Sequence, residues 1–247
     1  MVDYRNWSSI YDKTRQYNSI VVSKIMEYIP QLSNSRILDF GCGTGNYLEV
    51  ISQLTNAQCY GIDASKEMIA IAKQKKIRAT FYIGNHRRLL FPDNYFDYIY
   101  ILDVLQHIPK NDLDILFSEF YRILKPNAPL LFLTVSHQQL KDRTWNTYFP
   151  TAANIQTKRF PDIGEICDLG EKYHLINESL LKLEETRYEK IPKLFVDHVC
   201  NKAFSIFHLL DEQEYKQGKK KLLEDFKNSK TWIYNHGETI IVLRKKE

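Results

Sequence analysis

Apolar and polar positions follow two different periods along this chain. Short apolar runs occur at residues 37–40, 57–63, 79–83, 96–102 and 130–135. Between these runs, apolar residues recur every three or four positions, which is the spacing of one helix face. Short apolar runs separated by helical segments are typical of buried parallel strands joined by helices. The alternation therefore predicts an α/β fold with helices on both faces of a mostly parallel sheet.

The clearest helix is predicted over residues 112–124, where one broad apolar face repeats at helical spacing. Asn111 is placed to cap the amino end of this helix. The apolar residues of the face are Leu113, Leu116, Phe117, Phe120, Tyr121 and Leu124.

The second half of the chain departs from this simple alternation. Residues 136–160 are polar and aromatic without a clear period. Loops that follow the carboxyl ends of strands carry binding sites in α/β proteins, so we expect part of a substrate pocket here. The pattern after this segment predicts a short helix over 161–173, a sixth strand over 180–186, two helices within 191–228 and a last strand over 238–244.

A glycine-rich turn follows the first apolar run. Gly41, Gly43 and Gly45 occupy every second position, and a helical pattern begins directly after them. Glycine reaches positive φ angles without strain and lets a ligand lie against the backbone. The helix start behind the turn offers unpaired N–H groups and the positive end of the helix dipole. This combination predicts a nucleotide-like binding corner at the end of the first strand.

The glycine spacing differs from two common phosphate-binding motifs. The dinucleotide fingerprint is G-x-G-x-x-G, but Asn46 stands where its third glycine belongs. No Gly-Lys-Ser/Thr follows the turn, which excludes a P-loop.

Residues 38–45, Leu-Asp-Phe-Gly-Cys-Gly-Thr-Gly, resemble the first motif of the S-adenosylmethionine-dependent methyltransferases with the Rossmann-like fold. Within that superfamily the chain resembles the small-molecule group that includes the ubiquinone and menaquinone biosynthesis methyltransferases. A Pro-Asp lead-in and Phe-Asp pair over 92–97 and an Arg-x-Leu-Lys-Pro turn over 122–126 are also similar. In that turn the two glycines usual for the family are replaced by Asn127 and Ala128. The likeness covers about residues 35–135.

The resemblance implies a single Rossmann-like domain over residues 1–247. It has a seven-stranded, mostly parallel sheet, and its last strand lies antiparallel beside the fifth. A helical cap precedes this last strand. The expected parts are an N-terminal helical segment over the cofactor (1–30), a cofactor-binding core (31–135), two cap insertions on the substrate side (136–160 and 188–230) and a final edge strand (231–247).

The resemblance also implies that S-adenosylmethionine is the cofactor and S-adenosylhomocysteine its product. Asp63 ends the second strand, where a carboxylate can accept hydrogen bonds from both ribose hydroxyls. Its alternative role is to cap the following helix. The other residues that the resemblance assigns to the cofactor are Tyr11, Arg15, Asp39, Gly41, Gly43, Gly45, Ala64, Met68, Asn85, His86, Leu102 and His107.

Four of these residues have alternative roles or depart from the family pattern. Tyr11 and Arg15 can instead dock the first helix on the core, and Met68 can be an ordinary core methionine. Asn85 replaces the aspartate that is usual for the family. Its amide oxygen can still accept a hydrogen bond from the adenine amino group.

The expected reaction is an in-line displacement that transfers the methyl group to an oxygen, nitrogen or carbon atom of a small-molecule acceptor. Asp103 and His107 are candidate catalytic residues, since a hydroxyl acceptor needs a base. His107 can equally be a hydrogen-bonded structural histidine. The candidate substrate-binding residues are His137, Trp145, Tyr148 and Phe149, although these aromatic side chains can equally form core.

Composition and residue spacing limit the partners and metals that can be expected for this chain. A net charge of +4 is too small to indicate a nucleic-acid partner. The four cysteines contain no C-x-x-C pair, which argues against zinc and a disulfide framework and predicts a cytoplasmic protein. No apolar run approaches the roughly 18 residues of a membrane span. No carboxylate and histidine cluster has metal-ligand spacing, so no metal is expected.

Two other functions remain open. One is a non-catalytic S-adenosylmethionine-binding or partner protein, which Asn85 and the altered turn at Asn127 and Ala128 would favour. The other is an NAD-dependent dehydrogenase, against which the spacing of Gly41, Gly43 and Gly45 argues.

Overall fold

The computed structural model describes residues 17–29, 34–183, 190–232 and 237–247 of the chain. Within these residues, seven strands form one sheet in the order β3-β2-β1-β4-β5-β7-β6. The strands are β1 (Arg36–Phe40), β2 (Gln58–Asp63), β3 (Ala79–Ile83), β4 (Tyr98–Leu102), β5 (Pro129–Thr134), β6 (Leu175–Lys182) and β7 (Thr239–Lys245).

Helices connect the strands and extend the chain beyond the fifth strand. The α-helices are α1 (Ser19–Tyr28), α2 (Asn46–Leu54), α3 (Lys66–Gln74), α4 (Leu113–Ile123), α5 (His137–Asp142), α6 (Ala152–Arg159), α7 (Ile163–Lys172), α8 (Lys193–Cys200) and α9 (Glu212–Lys227). Short 3-10 turns lie at Leu105–His107, Lys110–Asp112, Thr144–Thr147 and Ser205–His208.

The strand order confirms the predicted Rossmann-like sheet. Strands β1 to β5 pair in parallel, and β7 pairs antiparallel with β5. The expectation that residues 231–247 form an edge strand is wrong, because β6 pairs with the free side of β7 and takes the edge. The sixth strand also begins five residues before its predicted start, at Leu175, whose buried side chain joins the main core directly after α7.

Alternation along the strands divides the core into two layers, one on each face of the sheet. Leu38 and Ile99 pack with α4 and α7 on one face, and Ile37 and Tyr98 pack with α1, α2 and α3 on the other. Successive side chains of a strand point to opposite faces, so a central parallel strand needs apolar residues at every position. This requirement explains the unbroken apolar runs in the sequence.

The segments predicted as cap insertions pack on each other around a third apolar cluster. Residues from the stretch after β5, such as Trp145 and Phe149, contact α8, α9 and the chain near residue 206. Helix α6 of this cap also packs against the 3-10 turn at Leu105–His107, which follows β4. The cap therefore lies at the carboxyl edge of the sheet.

None of the helices in the described residues combines the length and the apolar character that crossing a membrane requires.

Gly218 in α9 lies directly against the cap core. A Cβ atom there would be 2.4 Å from the Tyr148 carbonyl oxygen and 2.4 Å from Phe149 Cε1. We predict that Gly218→Ala lowers the free energy of unfolding by about 1–3 kcal/mol, because the backbone oxygen cannot move aside without separating the two cap segments.

Gly164 in α7 is the matched control, since a Cβ atom there would meet nothing within 4 Å. Gly164→Ala should be neutral or stabilising by up to about 1 kcal/mol. Denaturant unfolding of both variants measures these changes. Equal stabilities would contradict the tight packing of α9 on residues 148 and 149.

Candidate active site

The glycine turn has the backbone geometry that its sequence predicts. Gly41 has φ +81° and Gly45 has φ +80°, and Gly45 occupies the N-cap position of α2. The N–H groups of Gly41 and Cys42 donate to the Ile62 carbonyl oxygen at 2.8 and 3.1 Å, which attaches the turn to the end of β2. A Cβ atom at Gly41 would lie 2.2 Å from Cγ2 of Val104, so the chain after β4 approaches the turn closely.

Asp63 lies at the end of β2 and binds the turn through its side chain. Its Oδ2 accepts the Gly43 N–H at 2.9 Å, and its Oδ1 accepts the Ser65 N–H at 2.8 Å. Ser65 Oγ accepts the Met68 N–H at 3.2 Å, so Ser65 supplies the side-chain cap of α3. Burial raises the pKa of the Asp63 carboxyl, and the surrounding backbone N–H groups oppose that rise.

Asp39 lies beneath the turn. It is 3 % exposed and pairs in register with Gly61 on β2 and Tyr100 on β4. Burial raises the pKa of the Asp39 carboxyl well above its usual value, Tyr100 lowers it, and the charge of Asp63 raises it further. A charged Asp39 therefore depends on a favourable polar contact in a region of low dielectric constant.

The loop after β3 carries Asn85 and His86. Asn85 is exposed, and its Oδ1 accepts the Arg87 N–H at 3.0 Å. The His86 ring is held by Asp112, with 2.8 Å between Nε2 and Oδ2, and Arg87 donates to the same carboxylate at 3.0 Å. Hydrogen bonding to His86 and the charge of Arg87 lower the pKa of Asp112.

Sequence reasoning missed the role of Asp112. The prediction that Asn111 caps the helix over 112–124 is wrong, because residues Lys110–Asp112 form a 3-10 turn and Asp112 occupies the N-cap position of α4. Its carboxylate makes no capping hydrogen bond and bonds to His86 instead. The only sequence signal for this contact is an acidic residue near a predicted helix start.

Asp103 and His107 follow the end of β4. Asp103 has φ +55°, its N–H donates to the Leu133 carbonyl oxygen at 3.1 Å, and its own carbonyl accepts from Gln106 Nε2 at 2.6 Å. His107 ends the short 3-10 turn and is half-buried below α6. A positive φ at a non-glycine residue costs about 1–2 kcal/mol and persists where neighbouring structure imposes it.

Four groups of candidate residues lie at the carboxyl ends of neighbouring strands. The glycine turn follows β1, Asp63 ends β2, Asn85–His86 follow β3 and Asp103–His107 follow β4. They consequently share one edge of the sheet, the usual ligand-binding edge of this architecture. Leu102 lies at the same edge and is partly buried, and Ala64 is exposed. Met68 is 3 % exposed and lies in the core. This burial agrees with its alternative role as an ordinary core methionine. Tyr11 and Arg15 lie outside the described residues.

The aromatic candidates for substrate binding form the interior of the cap. Trp145, Tyr148 and Phe149 are 2, 4 and 0 % exposed in one apolar cluster. The Tyr148 hydroxyl donates to Asp225 Oδ2 at 3.0 Å. These side chains were expected to line a substrate pocket. They are instead buried in the contact between the two cap segments.

His137 has a local anchoring role. Its N–H donates to Asp162 Oδ1 at 2.9 Å, and its ring Nε2 lies 2.9 Å from the Phe160 carbonyl oxygen. These contacts attach the start of α5 to the start of α7. One ring nitrogen of His137 is therefore engaged within the protein.

Comparison with known sequences agrees with this arrangement. Residues 37–127 match a family described as "Methyltransferase domain". Phosphoethanolamine N-methyltransferase 2 of Caenorhabditis elegans is 30 % identical over 57 % of this chain and 32 % of its own length. Demethylmenaquinone methyltransferase of Lactiplantibacillus plantarum is 34 % identical over 50 % of this chain and 56 % of its own length. The chain thus spans about half or less of the length of these relatives.

Solved structures share the fold at low sequence identity. Haemonchus contortus phosphoethanolamine N-methyltransferase 2, in complex with phosphomonomethylethanolamine and S-adenosylhomocysteine, has a TM-score of 0.63 and 19 % identity, with coverage of 100 % of this chain and 61 % of that one. The [4+2]-cyclase SpnF has a TM-score of 0.63 and 21 % identity, with coverage of 92 % and 80 %. Together with the sheet order, these similarities show that residues 37–127 match a methyltransferase domain and that the chain shares the Rossmann-like fold of these structures.

Proposed function

We propose that this protein binds S-adenosylmethionine and transfers its methyl group to a small-molecule acceptor by in-line displacement. The observation that carries the proposal is the fixed carboxylate of Asp63 beside the glycine turn, with Gly43 N–H to Oδ2 at 2.9 Å. A nucleoside with a charged tail needs two features in this architecture. One is a carboxylate at the end of the second strand, and the other is a glycine-rich turn after the first strand.

The described residues fit this cofactor at the ribose and at the turn. The Asp63 oxygens accept the Gly43 and Ser65 N–H groups, and the Ala64 N–H also acts on this carboxylate; a carboxylate has about four acceptor positions, which leaves capacity for a ribose hydroxyl. Gly41 and Gly45 have φ angles that side chains rarely adopt, so the chain makes this tight turn at the end of β1 without strain. We assign the Gly41–Gly45 turn and Asp63 to the cofactor on these grounds.

The adenine would lie against the loop after β3. The Asn85 amide oxygen, oriented by the Arg87 N–H, retains a lone pair for the adenine amino group. Asp112 fixes the His86 ring and thereby the backbone of the same loop. Tyr11 and Arg15, Asp39, Ala64, Leu102 and His107 remain proposed contributors to the cofactor site, as the family resemblance implies.

Chemistry at the acceptor would be directed by the residues after β4. The bound cofactor supplies a methyl group already activated by a sulfonium charge, so the protein contributes mainly orientation. Asp103 and His107 lie between the turn and the cap, where a side chain can orient an acceptor or take its proton. His137 and the cap aromatics would act indirectly, by holding the cap over this edge.

The proposed acceptor is a small molecule, and the names of the relatives give only a range of possible acceptors. Their names include phosphoethanolamine, demethylmenaquinone and malonyl-acyl-carrier-protein methyltransferases. We also infer a cytoplasmic location, since the cysteines Cys42, Cys59, Cys167 and Cys200 are all free thiols in the described residues.

The alternative is a protein of this fold that does not transfer a methyl group. The similarity to a [4+2]-cyclase supports keeping it, because the same sheet and helices accommodate that enzyme. Cofactor binding and methyl transfer therefore need separate tests.

We predict that the purified protein binds S-adenosylhomocysteine with a micromolar or lower dissociation constant in a calorimetric titration and binds NAD much more weakly. Methyl transfer is then measured with labelled S-adenosylmethionine and a panel of phenols, carboxylates and amines. Tight NAD binding without S-adenosylhomocysteine binding would overturn the assignment of the cofactor. Cofactor binding without turnover on any acceptor would favour the non-catalytic alternative.

We predict that Asp63→Ala weakens S-adenosylhomocysteine binding by about 1–3 kcal/mol, because hydrogen bonds between ribose and a charged group are lost. Ser65→Ala is the matched control. It removes the cap of α3, lowers stability by about 1 kcal/mol and leaves the affinity unchanged. Unchanged affinity in a folded Asp63→Ala protein would show that Asp63 serves the helix and the turn alone.

A further inference from the structure

Two fully buried tyrosines on β4 differ in what faces them. Tyr98 and Tyr100 are both 0 % exposed, they share one face of the strand, and their ring centroids lie 5.9 Å apart. Neither hydroxyl has a hydrogen-bond partner of ordinary geometry in the described part of the chain. A buried hydroxyl without a partner is unfavourable, so its retention in a core calls for an explanation.

Strand register gives the two hydroxyls different neighbours. Tyr98 is paired with Ile37 on β1, whereas Tyr100 is paired with Asp39. Asp39 is 3 % exposed and two residues before Gly41, the first glycine of the turn. The Tyr100 hydroxyl is thus the group on the neighbouring strand that can donate to this buried carboxyl.

We propose that Tyr100 is a positioning residue whose hydroxyl donates to Asp39 and keeps that carboxyl charged beneath the glycine turn, where it attracts the cationic end of S-adenosylmethionine. This inference rests on the proposed function. The two residues are register partners with side chains on the same face of the sheet, and a hydrogen bond between them would satisfy both buried groups at once.

The electrostatic surroundings agree with this role. Burial raises the pKa of Asp39 well above its usual value, and the contact with Tyr100 acts in the opposite direction. The other titratable groups around Asp39 are Cys42 in the turn and Cys59 and Asp63 on β2. Burial raises the pKa values of the Cys42 and Tyr100 side chains, and that of Cys59 to about 11, so these three are uncharged at neutral pH.

The consequence of removing the hydroxyl depends on pH. Tyr100→Phe removes the contact that lowers the pKa of Asp39, so this carboxyl stays protonated up to a higher pH than in the wild type. Attraction of a cationic ligand then weakens, and it weakens most as the pH falls. S-adenosylmethionine carries a sulfonium charge that S-adenosylhomocysteine lacks, so its binding should suffer more.

The test compares Tyr100→Phe with Tyr98→Phe, which removes the matching hydroxyl at a position whose register partner is Ile37. For Tyr100→Phe, we expect the dissociation constant of S-adenosylmethionine to rise about tenfold near pH 6 and about threefold near pH 8, with a smaller rise for S-adenosylhomocysteine. Tyr98→Phe should stay within about twofold of the wild type at both pH values, since it removes no hydrogen bond to a charged group. In an Asp39→Asn background, Tyr100→Phe should have no further pH-dependent effect.

A loss of affinity that is equal for Tyr98→Phe and Tyr100→Phe, or that does not change with pH, would overturn the inference in favour of simple packing. If the wild type binds neither ligand, the proposed function fails, and the free energy of unfolding still tests the contact. A raised folded-state pKa stabilises the protein at low pH, and this stabilisation is lost as pH rises. Tyr100→Phe should therefore lose more stability than wild type between about pH 5 and pH 8, and parallel curves would refute the contact.

Discussion

The register of β1 between β2 and β4 is the constraint on which the candidate site depends. Asp39 pairs with Gly61 on one side and Tyr100 on the other, so the three strands end at the same level. Because all three run in parallel, their following loops meet at one edge. The glycine turn, Asp63 and the chain at Asp103 converge for this reason. A slip of one residue would turn Asp39 to the opposite face of the sheet.

Close contacts then lock the converging loops together. Gly41 has no side chain, and Val104 fills the space that a Cβ atom would take. Gly43 donates to Asp63, which also receives the Ser65 N–H. Loops after three separate strands are therefore joined by short-range packing and hydrogen bonds. Such mutual support fixes the positions of binding groups to the precision that a cofactor site needs.

The cap adds a second apolar interior at this edge of the sheet. Segments that lie far apart in sequence, around Phe149 and around Phe207, meet within one cluster. Their aromatic side chains are buried in the cap, so in the proposed function other groups would contact the acceptor. The polar residues after β4, Asp103 and His107, lie where the cap approaches the sheet. The matched methyltransferase domain covers residues 37–127, which include most of the proposed cofactor site, and it does not cover the cap.

The sequence by itself determined most of the elements, the position of the glycine turn and the resemblance to methyltransferases, because apolar periodicity and glycine spacing are local signals. It left open whether Asp63 binds ribose or caps the following helix, and the structure places Ser65 at that N-cap position. Only the tertiary structure decided that β7 lies between β5 and β6, that Trp145 and Phe149 belong to the cap core, and that Asp112 holds His86. These facts depend on contacts between residues distant in sequence, which no local pattern encodes. The pairing of Tyr100 with Asp39 is of the same kind, since the register of two strands is set by the packing of both sheet faces.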